Sequence, residues 1–171
     1  MNFSVLPSKI ELSAEMGSTT TKSFTIFNES ASDATYNLDV QDYSINQSNE
    51  FSYYKAGEDK YSLAQWIKLS KDTVTVAGKG SEKVEFTIDV PKGIVPHGYE
   101  SVIFVSSTED KNASEGATLN IAGRIGVTVL AAITDASDQT GLTKKGEIKD
   151  MNVQVSFPDF IQFSNGQLSP L

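Results

Sequence analysis

The chain has 171 residues, no cysteine, one histidine and a formal net charge of −8, with 14 basic against 22 acidic residues and a pI near 4.6. That length suits one domain of ordinary size, or one domain and part of another, and the missing thiols exclude disulfide staples, thiolate metal sites and a cysteine nucleophile. The acidic balance opposes phosphate backbones and anionic membrane surfaces, so no nucleic-acid partner is expected, and Arg124 is the sole arginine available for bidentate contacts.

Along the chain, MNFSVLPSKIELSAEMG lacks the basic start and continuous apolar centre of a signal peptide, so export would require a signal upstream. KSFTIFN sets Phe24 and Ile26 on one face of a strand. ATYNLDVQDY repeats the pattern, with Tyr36, Leu38 and Val40 inward and Asn37, Asp39 and Gln41 outward. FSYYKAGEDKYSLAQW then concentrates Phe51, Tyr53, Tyr54, Tyr61 and Trp66 in one span. KYSLAQWIKLS admits one helical turn around Ala64, but its Trp, Ile and Leu favour a strand. DTVTVAG pairs Val74 with Val76, and EKVEFTIDVP is the clearest alternation: Val84, Phe86, Ile88 and Val90 against Lys83, Glu85, Thr87 and Asp89. Pro91, without an N–H, ends that strand.

IVPHGYESVIFVSS places His97 in a Pro/Gly turn before a run that is apolar on both faces, as VTVLAAI (127–133) also is. Both are expected to be central strands. VTVLAAI falls far short of the roughly 20 residues of a bilayer helix, so no membrane insertion by this segment is expected. In ATLNIAGRIGVTVLAAI, Leu119, Ile121, Ile125, Val127, Val129 and Ile133 share one parity, and Gly123 and Gly126 suggest a bulge or a bend between sheets. Short strands separated by turn residues predict an all-β, antiparallel β-sandwich over 1–133. A polar linker is expected at 134–146. The segment 147–171 is expected to begin a second β domain, or else to add strands to the first.

The motifs LSAEMGSTTTKSFTIFNES, SLAQWIKLSKDTVTVAGKGSEKVEFTIDVPKGIVPHGYESVIFVSS and GATLNIAGRIGVTVLAAIT resemble bacterial cell-surface Ig-like domains similar to the N-terminal domain of WxL-interacting proteins. The resemblance spans roughly Phe3 to Ile133. It implies an Ig-like fold and an extracellular module at the cell wall, with peptidoglycan the partner attributed to that domain. The insert NQSNEFSYYKAGEDKYSLA and the turn PHGYES depart from the family pattern.

Catalysis is not expected. His97 has Glu100 and Ser101 near it in sequence, but adjacent strand residues point to opposite faces, and no G-x-S-x-G elbow accompanies them. Zinc lacks His and Cys ligands. Asp39, Asp42, Glu58, Asp59, Glu109, Asp110, Asp135 and Asp138 could ligate calcium but lack EF-hand spacing, so neither metal nor cofactor is expected. Carboxylate pairs for glycoside hydrolysis read better as an acidic surface. Sequons at Asn28, Asn46 and Asn112 mark loops.

The candidate contact patch is Tyr53, Tyr54 and Tyr61, since broad rings with a polar handle anchor interfaces and stack on sugars. The competing reading turns Phe51, Tyr53 and Trp66 into the core, most firmly Trp66. The expected function is a non-catalytic module, monomeric in isolation, that binds a cell-wall glycan or another surface protein. The alternatives are a spacer or assembly module using edge-strand pairing, favoured by a long unpaired edge at TLNIAGRIGVTVL, and an accessory domain of a larger exported enzyme.

Overall fold

The computed structural model describes residues 2–107 and 123–135, together with short strands at 161–164 and 167–170. The strands are β1 (Phe3–Leu6), β2 (Lys9–Glu15), β3 (Thr19–Asn28), β4 (Ala34–Ile45), β5 (Phe51–Lys55), β6 (Ile67–Leu69), β7 (Thr73–Val76), β8 (Ser81–Asp89), β9 (Gly98–Ser107), β10 (Arg124–Thr134), β11 (Ile161–Ser164) and β12 (Gln167–Pro170). A four-stranded sheet in the order β1-β3-β8-β6 faces a six-stranded one in the order β2-β10-β9-β4-β5, where β7 also pairs with β4. The pairs are antiparallel except β2 with β10, which is parallel. The chain passes between sheets at Pro7, which follows a cis bond from Leu6 and separates β1 from β2. β11 and β12 pair with each other. Residues 136–146 of the expected linker lie outside the described residues.

The alternation read from sequence builds the core. Val84, Phe86 and Ile88 of β8 are buried against Phe24 and Ile26 of β3, with Ile103, Val105, Val127, Val129 and Ile133 supplied by the other sheet. Each such side chain contributes about 1.5–3 kcal/mol. Tyr36 and Leu38 are buried as expected, whereas Val40 is half-buried. Trp66 lies in the core, but it closes a 3-10 turn, Ala64–Trp66, and only Ile67–Leu69 continue as strand.

One expectation needs correction. Gly126 makes no bulge, because the β9–β10 register runs unbroken from Arg124↔Ser106 to Ala132↔Gly98. Its role is close approach: a Cβ there would sit 2.8 Å from Val102 Cγ2 and 3.4 Å from the Phe104 ring. Of the TLNIAGRIGVTVL edge, residues 118–122 lie outside the described residues; Thr128–Leu130 are paired with β2, and among the described residues Arg124–Val127 have β9 on one side and no strand on the other.

Two buried polar side chains pin the loops. Asn28 Nδ2 donates to the carbonyls of Ser32 (2.8 Å), Val76 (3.0 Å) and Ala77 (3.2 Å), while its Oδ1 accepts from the N–H (3.0 Å) and hydroxyl (2.6 Å) of Ser30. The sequon at Asn28 is thus a clamp between the β3–β4 and β7–β8 connections. Asp42, opposite Ser101, accepts from the Ala64 N–H (2.8 Å) and from the Ser62 hydroxyl, whose Oγ in turn accepts from the Gly57 N–H (2.8 Å). This network fastens the loop that follows β5 to β4. Among the described residues, the buried Asp42 Oδ2 and Ser101 Oγ have no hydrogen-bond partner. Burial pushes the Asp42 carboxyl above the ordinary aspartate range, against the opposing pull of the Ser62, Ala64 and Leu63 donors and with the nearby Asp59 charge adding to the rise.

Asn28→Ala is expected to lower the unfolding free energy by about 3 kcal/mol in a urea titration, because buried carbonyls lose their donor. A loss below about 1 kcal/mol would contradict the clamp. For Asp42 the raised native value means the folded state holds a proton the unfolded chain releases. Stability therefore falls as pH rises from the unfolded aspartate value through the native one. Asp42→Asn keeps the acceptor for the Ala64 N–H and removes the titrating carboxyl, so it should lose that acid-side slope. An unchanged slope would show that Asp42 is not its source.

Candidate functional site

β9 brings the site into being. Its odd-numbered residues Tyr99, Ile103 and Val105 join the sandwich core. Val102 and Phe104 face the other side of the sheet, yet are only 5% and 7% exposed. For Phe104 the cover comes from β5 and β10. Tyr53 meets the Phe104 ring edge-on at 5.1 Å, and the Arg124 guanidinium lies over the same ring, 3.2 Å from its centroid. Asp39, 3.9 Å from Arg124, borders the cation. Gly126, opposite Phe104 in the register, leaves room for the ring to lie against the sheet.

The ring chain continues outward. Tyr53 stacks on Phe51 (6.2 Å between centroids, planes 14° apart), and Phe51 meets Tyr43 at 5.9 Å. The β4–β5 register, Tyr43↔Tyr53 and Ile45↔Phe51, puts these four side chains on one outer face. Phe51, Ile45 and Tyr53 are 56%, 51% and 47% exposed, where a one-sided antiparallel sheet ordinarily carries polar residues. Tyr43 donates its hydroxyl to Glu100, and burial together with that carboxylate pushes its phenol up to about 12. The turn before β5 is rigid: Asn46 Oδ1 accepts from the N–H groups of Ser48 (2.8 Å) and Glu50 (3.0 Å).

The three tyrosines expected to form one patch have separate surroundings. Tyr53 belongs to the outer ring chain. Tyr54, its neighbour on β5, is half-buried on the opposite face and shares a 3.1 Å hydrogen bond with the Ser44 hydroxyl. Tyr61 packs at the end of the sandwich on His97 (4.6 Å) and Tyr99 (5.9 Å), with Lys60 Nζ 5.0 Å from its ring and Trp66 beyond Tyr99 at 4.6 Å. The alternative that turned Phe51 and Tyr53 into the core is corrected by their exposure. Phe104 and Arg124 were missed because they lie far from the insert in sequence, and Tyr43 because it precedes the insert on β4; only the strand register joins them. Apolar residues on both faces of β9 were the available signal.

His97 is exposed in the β8–β9 connection. Its carbonyl accepts from the Ile133 N–H (2.9 Å), and its ring contacts are aromatic. Among the described residues no three His, Cys, Asp or Glu side chains are grouped to hold a metal. Of the carboxylates considered for calcium, Asp42 is buried, Glu58 accepts from the Lys55 N–H and Asp59 from the Tyr61 N–H. Glu109, Asp110 and Asp138 lie outside the described residues.

No family model matches the sequence, and no curated protein matches it. Solved structures do. A human ASH/PapD-like domain of CEP192 is 14% identical, with a TM-score of 0.53 over 79% of this chain and 87% of that one. A chain of the CsuC–CsuE chaperone–tip adhesion subunit pre-assembly complex from the archaic chaperone-usher Csu pili of Acinetobacter baumannii is 14% identical, with a TM-score of 0.55 over 84% of this chain and 62% of that one. A family 123 glycoside hydrolase from Clostridium perfringens is 12% identical, with a TM-score of 0.51 over 75% of this chain and 23% of that one. At such identities the likeness concerns the fold alone: this chain is an all-β protein with an Ig-like β-sandwich.

Proposed function

We propose that this chain is a non-catalytic module of a bacterial cell-surface protein that binds cell-wall glycan through the outer face of its larger sheet. The observation that carries the reading is the ring chain Tyr43–Phe51–Tyr53–Phe104, exposed at Phe51 and Tyr53, with Arg124 at its end. Aromatic faces offer apolar area at little entropic cost, and Tyr hydroxyls and a guanidinium add hydrogen bonds for sugar hydroxyl and amide groups. The sequence resemblance to wall-associated domains supports the same partner.

A second reading, an assembly module that pairs strands with another surface protein, is favoured by β10. Among the described residues, Arg124–Val127 have no strand on the side where β2 covers Thr128–Thr134. A partner of that kind would slow amide exchange at Arg124–Val127, whereas wall fragments would leave those amides unchanged.

Co-sedimentation with purified peptidoglycan tests the first reading. Wild type is expected to be retained, and Phe51→Ser to bind at least about tenfold more weakly, a change of about 1.4 kcal/mol, with its melting temperature nearly unchanged because that ring is exposed. Equal retention of the two proteins would remove the ring face from the account. No retention of wild type above that of an unrelated acidic sandwich would remove the glycan.

A further inference from the structure

The free edge of β5 points to a second copy of this chain. β5 is the last strand on its side of the larger sheet, and no described strand pairs with its outer edge. The direction of its backbone groups follows from the hairpin. The Asn46 N–H donates to the Glu50 carbonyl (3.1 Å), which makes Asn46 and Glu50 a hydrogen-bonded pair. Antiparallel alternation then makes Ser44–Ser52 and Asp42–Tyr54 hydrogen-bonded pairs and leaves Ile45–Phe51, Tyr43–Tyr53 and Gln41–Lys55 as non-hydrogen-bonded ones. The N–H and C=O groups of Phe51, Tyr53 and Lys55 therefore point away from β4. The Lys55 N–H meets the Glu58 carboxylate at 3.0 Å on that side, which agrees with this direction and ends the edge.

What remains open is self-complementary. We propose that two copies join antiparallel along β5 about a two-fold axis at Ser52, with Phe51 of each opposite Tyr53 of the other. Each Phe51–Tyr53 pair exchanges both of its N–H···O bonds, so every open donor and acceptor at these two residues is used and Lys55 keeps its Glu58 cap. In this register Lys55 lies opposite Asn49 and Glu50 opposite Tyr54, so no like charges face each other. The edge lacks the usual safeguards against pairing: β5 holds no proline, its register with β4 has no bulge, and its one charge is Lys55 at the end.

Pairing along the edge leaves the outer face open and continues the ring chain of one protomer into that of the other. The inference stands without the glycan reading, and it replaces the isolated monomer expected from sequence. An edge of five residues buries little area, so the dimer is weak and concentration-dependent.

The test uses the absence of cysteine. Ser52 residues on the axis form a non-hydrogen-bonded pair with Cα atoms about 4.5 Å apart, within disulfide range. Ser52→Cys should give a disulfide-linked dimer under mild oxidation far faster than Lys55→Cys, whose two copies lie far apart in this register. Sedimentation velocity of wild type over a concentration series should show monomer–dimer exchange. Phe51→Pro, which removes an outward N–H without touching the β4 ladder, should abolish it; Phe51→Thr, which keeps that N–H, should retain part of it. A wild type that stays monomeric throughout, or equal cross-linking rates at the two cysteines, would overturn the proposal.

Discussion

The architecture turns on one strand that must be buried on both faces. β9 sits between β10 and β4, sends Ile103 and Val105 into the sandwich, and carries Val102 and Phe104 on the opposite side. A sandwich supplies a second sheet for the first pair and nothing for the second. Leaving a phenylalanine in water forfeits about 1.5–3 kcal/mol of transfer free energy, so the outer pair needs its own cover. Tyr53 and Arg124 provide it for Phe104, and in doing so they lift further rings, Phe51 and Tyr43, onto the surface. The exposed aromatic face is thus a consequence of how the central strand is sealed.

Polar anchors hold that arrangement in place. Asn46 fixes the turn before β5, Glu58 caps its last N–H, and the buried Asp42–Ser62 network fastens the loop that follows to β4 and to the 3-10 turn. Asn28 does the same at the far end of the sandwich. These are strong local bonds at strand ends, where a chain without disulfides must otherwise lose order first. The surface ion pairs, such as Lys9–Glu11 and Lys83–Glu85, are exposed and add little.

Much of the fold was legible in the sequence because period-two alternation is a direct record of which side chains are buried. Val84, Phe86 and Ile88 read inward and lie inward; β9 and β10 read as two-faced and are central. Trp66 read as core, and is. The site was less legible. Tyr53 and Tyr54 are adjacent, so a strand sends them to opposite faces, and Tyr61 follows a loop that carries it to the end of the sandwich beside His97. Composition concentrates these residues, but pairing register decides which neighbours they meet. Phe104 and Arg124 enter the ring chain only because β9 and β10 bring them next to β4 and β5. Gly126 read as a break in the strand, because sequence gives a glycine no way to distinguish a bulge from a place where a neighbouring ring approaches.

The proposed recognition face is the outer side of the larger sheet, away from the lone histidine. The most direct measurement is an NMR titration of the folded chain with solubilised peptidoglycan fragments, following aromatic ring and backbone signals. The account predicts saturable shifts at Tyr43, Phe51, Tyr53 and Phe104 and at the Arg124 side chain, with Tyr61, His97 and Trp66 unaffected. Shifts confined to the Tyr61–His97–Trp66 end, or none at all, would contradict it.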